Sequence, residues 1–184
     1  SDLKSGTNAA GLGDGAISVT TTATDAAGNT TQSTAGGFTL DTIPPNITVA
    51  AFGDGRLTAA EATGNGVISV NAESGASVKA VFTSSSGSVS KTLTGTGSSQ
   101  IVKLTEAEVA SLGQGDVAVS TTASDAAGNT ANTTAGLFNL DTIAPNAPVI
   151  SAVATDNIVN AAEKTAGVQI SGTAEAGSSV AVTW

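Results

Sequence analysis

The chain is 184 residues long, with 15 acidic and 6 basic side chains and a formal net charge of −9. It has no Cys, His, Met or Tyr, and its aromatics are Phe38, Phe52, Phe82, Phe138 and Trp184. Nucleophilic sites of the Ser-His-Asp or Cys-His kind and His/Cys zinc sites are thereby excluded. Nucleic acid and anionic membrane are poor partners too, because binding phosphate needs clustered Lys or Arg.

No apolar run approaches the roughly 18 residues of a membrane helix, so no membrane insertion is expected in this segment. Much of the hydrophobic content is Ala, and large apolar side chains are few. Each folded unit must therefore rest on a thin core of Val, Ile, Leu and one or two Phe.

In chain order, the first signal is the turn Asp25-Ala-Ala-Gly-Asn29, where Gly and Asn suit positive φ. The linker Ile43-Pro44-Pro45 follows, and proline there interrupts any strand ladder. Runs rich in Val, Ile and Thr then predict strands at 47–51, 66–72, 77–83, 88–94 and 100–104, with Gly, Asn, Ser and Asp between them. Residues 104–112 break the pattern. Thr105 with Glu108 makes a capping-box signature, which predicts one or two helical turns. Strands resume at 116–123 and 130–140, joined by the turn Asp125-Ala-Ala-Gly-Asn129 and followed by the linker Ile143-Ala144-Pro145. Lys79, Lys91 and Lys103 fall on predicted strands and read as guards against edge-to-edge pairing.

The chain repeats itself. Residues 12–49 align without a gap on residues 112–149, and about two-thirds of the positions are identical. The segment from Asp54 to Glu61 matches that from Asp156 to Glu163, and 73–78 matches 175–180. A period of about 100 residues is too long for a solenoid and is the size of one Ig-like sandwich. The expected fold is all-β: tandem Ig-like Greek-key β-sandwiches of about 100 residues, with seven strands A to G. Residues 44–143 are expected to form a complete sandwich, 1–43 the last part of a preceding one, and 144–184 the first part of the next. Trp184 then matches Phe82 on strand C. Partial sandwiches expose an apolar face, so the two end segments are expected to complete each other, between chains or in a ring.

The string D-A-A-G-N-T, then F-x-L-D-T-I-x-P, then D-x-x-x-x-A-A-E resembles the bacterial Ig-like repeats of very large surface adhesins, the biofilm and RTX-type adhesins exported by type I secretion. The resemblance spans the chain and occurs twice. It implies an extracellular stalk on the bacterial cell surface, made of many sandwiches and stiffened by calcium near domain junctions, that supports adhesion and biofilm formation. No glycine-rich nonapeptide calcium repeat is present in this sequence.

Calcium takes six to eight oxygen ligands. In an Ig-like topology the A–B and E–F connections lie at the C-terminal pole, and B–C and F–G at the N-terminal pole. Asp54, Glu61, Asp116 and Asp141 are thus expected to gather at the exit of the complete sandwich, with Glu175 of the next repeat facing them. At the entrance, Asp41 faces Glu73 and Asp125, and Asp14 lies on the same side. Asp25, Asp156 and Glu163 are the repeat counterparts of Asp125, Asp54 and Glu61. The candidate metal ligands are Asp25, Asp41, Asp54, Glu61, Asp116, Asp125, Asp141, Asp156 and Glu163. Four of them have an ordinary reading as well, Asp25 and Asp125 as Asx-turn caps and Asp41 and Asp141 as anchors for linker amides, while Glu73 and Glu175 read as plain turn residues.

The reading that follows is a non-enzymatic extender module whose partners are neighbouring repeats. The alternative is a module that recognises a glycan or another copy of itself, and an exposed Phe52 cluster or a concave polar pocket would favour it. Catalysis by paired carboxylates is the weakest reading, because the pairs fall on turns at domain ends and the core is too thin to enclose a substrate.

Overall fold

In a computed structural model of the chain, residues 12–51, 53–154 and 156–183 are described. Phe52 and Trp184 lie outside them, so the Phe52 cluster and the place of Trp184 on strand C are not addressed by the structure. Two compact units are present, Ser1–Asp141 and Thr142–Trp184.

The first unit opens with an antiparallel hairpin of β1 (Gly15–Thr24) and β2 (Thr30–Leu40). There follow β3 (Ile47–Ala51), β4 (Arg56–Leu57), α1 (Ala59–Gly64), β5 (Ile68–Ala72), β6 (Ser77–Thr83), β7 (Ser88–Thr94), β8 (Ser99–Val102), α2 (Glu106–Leu112), β9 (Gly115–Ser124) and β10 (Thr130–Leu140). One sheet has the order β3-β5-β8, and the other β4-β10-β9-β6-β7. The fold is all-β, and these strands make an Ig-like Greek-key sandwich. Two features go beyond the sequence reading. The fourth predicted strand, β7, pairs with β6 rather than with the β3-β5-β8 sheet. The short β4 forms a parallel ladder with β10, Arg56 opposite Asn139 and Leu57 opposite Leu140.

Alternation decides which side chains enter the core. On β6, Val78, Ala80 and Phe82 point inward, and on β9, Val117, Val119, Thr121 and Ala123 do. Thr121 is buried but satisfied, its hydroxyl donating to the Thr133 carbonyl at 3.0 Å. Strand β10 keeps Phe138 and Leu140 inside by means of a bulge. Thr134 faces Ser120 and Leu137 faces Ala118, so β10 carries one extra residue. Gly136 sits in the bulge with φ 30°. The insertion flips the side-chain parity, which places half-buried Ala131 and Thr133 on the same face as Phe138 and Leu140. The hairpin β1–β2 shows the same irregularity opposite Ile17 and Val19.

Two helical turns close the sandwich. Helix α2 forms where Thr105 and Glu108 predicted it. The Thr105 hydroxyl accepts from the Glu108 amide at 3.3 Å, and Glu108 Oε2 accepts from the Thr105 amide at 2.7 Å. The same carboxylate meets Lys91 Nζ at 2.6 Å, tying the helix to the edge strand β7. Lys91 is thus both an edge charge and an anchor, whereas Lys79 lies on the interior strand β6 and Lys103 outside any strand. Helix α1 was not expected and has the same device, in Thr58 and Glu61.

The second unit holds β11 (Val149–Ile150) paired with β12 (Gly172–Thr173), and α3 (Ala161–Ala166) capped by Asn160 and Glu163.

Phe82 and Phe138 meet edge to face, with ring centroids 6.4 Å apart at 65°, and join β6 to β10 through the middle of the core. With so few large side chains, this contact cannot be replaced by its neighbours. Phe138→Ala is expected to cost about 3–5 kcal/mol. Urea unfolding checks this: the midpoint should fall while the slope stays the same.

Candidate functional site at the repeat junction

The segment 41–46 leads from the hairpin into the complete sandwich, and side chains from both grip it. From the hairpin side, Asp14 Oδ1 accepts from the Thr42 amide at 2.7 Å and from its hydroxyl at 2.9 Å. From the sandwich side, Asn129 Nδ2 donates to the Asp41 carbonyl at 3.1 Å and lies 3.5 Å from Asp41 Oδ1. Glu73, on the β5–β6 turn, accepts from the Asn46 amide at 3.3 Å and donates its own amide to the Asn46 carbonyl at 3.0 Å. Asp41 Oδ1 also accepts from the Ile43 amide at 3.2 Å.

The β9–β10 turn shapes this site. Asp125 folds back over it, with Oδ1 accepting from the Gly128 amide at 2.7 Å and the Asn129 amide at 2.8 Å. Oδ2 accepts from Asn129 Nδ2 at 2.8 Å. Gly128 adopts φ 96°, in the region that favours glycine. The Asn129 amide nitrogen therefore sits among three oxygens, two from Asp41 and one from Asp125. This is an environment that attracts positive charge, and two carboxylates share it. The Asn129 side-chain bond is the main reason the Asp125 carboxyl is held below its ordinary range, with backbone bonds from the same turn adding to it against the opposing effect of burial. Asp25 is held low in the same way, foremost by Asn29, whose Nδ2 donates to Asp25 Oδ2 at 2.7 Å.

At the exit pole the expected ligands are engaged by donors of their own chain. Among the described residues no three acids come together as a metal cluster. Asp54 lies near enough to Glu61 to act on its charge, and Asp54, Glu61 and Asp116 each accept from a local donor. Asp54 Oδ1 accepts from the Arg56 amide at 2.9 Å. Glu61 Oε2 accepts from the Thr58 amide at 2.9 Å and the Thr58 hydroxyl at 2.8 Å. These bonds hold its carboxyl low, although burial and the nearby Asp54 charge push the other way. Asp116 Oδ1 accepts from Asn139 Nδ2 at 2.9 Å. The Asp141 amide donates to the Leu57 carbonyl at 2.9 Å, extending the β4–β10 ladder.

In the second unit the counterparts repeat these local bonds. Asp156 Oδ1 accepts from the Ile158 amide at 2.9 Å, and Glu163 Oε2 from the Asn160 amide at 2.9 Å. Glu175 Oε2 accepts from the Asn146 amide at 3.0 Å, as Glu73 does from Asn46. Glu73 and Glu175 are thus linker clamps rather than plain turn residues. The sequence reading missed Asn46 and Asn146 as their partners, and Asn129 as the partner of Asp41 and Asp125. The signal was there, since Pro-Asn follows both linkers and Asn closes both Asp-Ala-Ala-Gly-Asn turns.

No protein-family model matches the chain, and no curated protein does. Among solved structures, similarity is found to a tetra-tandem repeat from the extending region of a large adhesion protein, at 22% identity over 89% of this chain and 46% of that one, with a TM-score of 0.46. A Ca2+-stabilized adhesin with which an Antarctic bacterium reaches out and binds ice is similar at 30% identity over 88% of this chain and 40% of that one, with a TM-score of 0.36. A 1.5-MDa bacterial ice-binding adhesin, in a structure concerned with its retention at the host cell surface, is similar at 20% identity over 72% of this chain and 44% of that one, with a TM-score of 0.40. The chain spans less than half the length of each.

The lowered acids fix a pH response. Their folded pKa values lie below the unfolded ones, so their contribution to stability is complete above about pH 4 and is lost as pH falls through the folded values. Asp125→Asn removes one such group. Its thermal melting profile should lose part of the acid-side drop seen in the parent below about pH 4. Melts recorded across pH 2–7 test this, and parallel profiles would contradict the assignment.

Proposed function

We propose that the chain is a structural extender module of a large bacterial cell-surface adhesin, divided at residues 43 and 143 into successive Ig-like repeats, with calcium stiffening the junctions. Its place is extracellular, its partners are the adjoining repeats, and it catalyses nothing. The observation that carries this reading is the two-sided grip on residues 41–46: Asp14 reaches in from one repeat, and Asn129 and Glu73 from the next. The junction is therefore shaped, and Asn129 and Glu73 have repeat counterparts in Asn29 and Glu175, whereas Asp14 is replaced by Gln114.

Calcium suits the donors present. The Asp41 carboxylate and carbonyl, Asp125 Oδ2 and the side chain of Asn129 converge on one point, and all but the Asn129 nitrogen are hard oxygens. Rotation of the Asn129 amide would present its oxygen in place of the nitrogen. Asp41, Asp125 and Asn129 would hold the ion, with water completing its shell. Asp141 is the counterpart of Asp41 at the following junction. Asp25, Asp54, Glu61, Asp156 and Glu163 have suitable oxygens but are already engaged by turn or capping donors, and Asp116 by the Asn139 side chain of the paired strand, which makes them weaker ligands. A bound divalent ion offsets the repulsion between Asp41 and Asp125 and links two repeats through one centre. Calcium is scarce in the cytosol and plentiful outside, so the array would stiffen after export.

Extracellular modules bind calcium with Kd of about 10⁻⁴–10⁻³ M. At ten times Kd, mass action adds about 1.4 kcal/mol, and each kcal/mol raises Tm by about 4–8 °C for a domain of this size. Calcium should therefore raise the Tm of the chain by several degrees, chelation should reverse the rise, and Asp41→Asn should abolish it. Solution scattering of a multi-repeat array should show a longer particle with calcium than with chelator. A Tm and a scattering profile indifferent to calcium would remove this reading.

A further inference from the structure

We infer that Asn65-Gly66, at the C-terminal end of α1, is a site of spontaneous deamidation: the fold restrains the reaction, and opening of the last turn of α1 releases it. The inference does not depend on calcium.

No other asparagine in the chain is followed by glycine. A side chain on the following residue hinders attack on the asparagine amide, and glycine has none. The repeat counterpart of residues 64–66 is Ala166-Gly167-Val168, so the second copy of this segment lacks the pair.

Glycine at 66 is imposed by the fold. Its φ is 109°, in the region that favours glycine. A Cβ there would strike the Ile101 side chain and lie 3.0 Å from the Val102 carbonyl oxygen. Gly66 is buried, whereas Asn65 is exposed. The side-chain amide thus meets water, and the backbone nitrogen that attacks it lies at the margin of the core.

The reaction balances with water alone. The Gly66 nitrogen gives its proton to solvent base and attacks Asn65 Cγ. The Cγ–Nδ2 bond breaks, and Nδ2 takes up a proton and leaves as ammonia. The product is a five-membered succinimide. Water then opens the ring. Cleavage at the side-chain carbonyl gives aspartate, and cleavage at the main-chain carbonyl gives isoaspartate. No oxidation or reduction is involved.

Two features of the folded state oppose the first step. Ring closure needs the Gly66 nitrogen and Asn65 Cγ nearly eclipsed about the Cα–C bond, and the helical backbone of Asn65, φ −92° and ψ −30°, keeps them apart. The Gly66 amide also donates to the Glu61 carbonyl at 2.9 Å, beside the Asn65 amide at 2.8 Å. Both features last only while α1 is formed. That helix has six residues, held by the Thr58–Glu61 capping box and by the Leu104 amide on the Ala62 carbonyl at 3.1 Å. A helix so short opens at a lower free energy than the sheets around it.

The isoaspartate product adds a methylene to the backbone just before residue 66. The segment that follows has no slack. Val67 and Ile68 are fully buried, and the Val67 amide donates to the Val102 carbonyl at 2.8 Å. The extra length therefore displaces the entry to β5 and weakens the sandwich.

The test is incubation of the whole 184-residue chain in mildly alkaline buffer, native and in urea, followed by mass spectrometry of the tryptic peptide 57–79. That peptide carries Asn71, followed by Ala, as an internal control. Asn65 should exchange ammonia for water in both samples while Asn71 remains intact, and the reaction in urea should be faster by about tenfold or more. Thr58→Ala, which removes the cap of α1, should speed the native reaction several-fold. The isoaspartate form should melt below the fresh chain, whereas Asn65→Gln should keep its melt on the same incubation. A native chain intact at Asn65 while the unfolded one converts would overturn the inference. Equal rates in buffer and urea would overturn it as well, and so would a native rate that Thr58→Ala leaves unchanged.

Discussion

A carboxylate bonded back to nearby backbone amides is the interaction on which the connections of this protein depend. Asp25 and Asp125 close hairpin turns this way, Asp54 and Asp156 the bends after the first strand, and Glu61, Glu108 and Glu163 the first turns of helices. Each bond satisfies donors that would otherwise need water, and each is charge-assisted. The loops are thus specified by local electrostatics rather than by burial. That suits a chain whose core consists largely of Val and Ala around two phenylalanines. It also explains a high net negative charge in a small fold: the acids are pinned at the turns of each repeat, at its poles.

The same device limits what the acids can do for a metal. An Asp whose oxygens already accept two or three amide bonds has fewer lone pairs to offer, and gathering several such groups without a cation costs repulsion. Glu61 is the clearest instance, since both Thr58 donors fall on one of its oxygens and Asp54 repels it from nearby. At the entrance junction the balance is different. Asp125 offers Oδ2 only to the Asn129 side chain, and a side-chain amide can rotate away where a backbone amide cannot. This is the physical difference between a turn acid and a ligand in waiting.

The sandwich was legible in the sequence because its strands alternate. Val78, Ala80 and Phe82 alternate with polar neighbours, and so do Val117, Val119 and Ala123. The nearness of Glu73 and Asp125 to the 41–46 segment, where Asp41 sits, was legible too, because Ig-like topology puts the β5–β6 and β9–β10 turns at that end. What could not be read were features that depend on three-dimensional pairing. The bulge in β10 leaves no break in a run of Thr, Ala and Gly. The two residues of β4 are too few to show a period. The side on which β7 pairs is a matter of sheet choice, since its alternation serves either sheet. Helix α1 was missed for another reason: Thr58-Ala-Ala-Glu61 carries the same signature as Thr105-Glu-Ala-Glu108, but its metal reading hid its capping one. At the site, Asp41 and Asp125 were named without Asn129, the residue that joins them, because an amide has no charge to draw attention.

The parallel pairing of β4 with β10 sets the direction in which the chain crosses the sandwich. The strand that enters and the strand that leaves run the same way, so the chain must exit at the pole opposite its entry. A sandwich whose first and last strands were antiparallel would return the chain to its starting pole, and tandem copies would fold back on one another. The direction then falls to the few residues between Leu40 and Ile47, which is where the polar grip is concentrated: Asp14 on Thr42, Asn129 on Asp41, Glu73 on Asn46. Proline at 44 and 45 restricts the backbone dihedrals of the same segment, so less freedom is lost when those bonds form. Hydrogen bonds at a solvent-facing junction are individually weak. Several converging on a stiffened linker can still favour one angle, and a cation shared by Asp41 and Asp125 would act on that angle without having to create it.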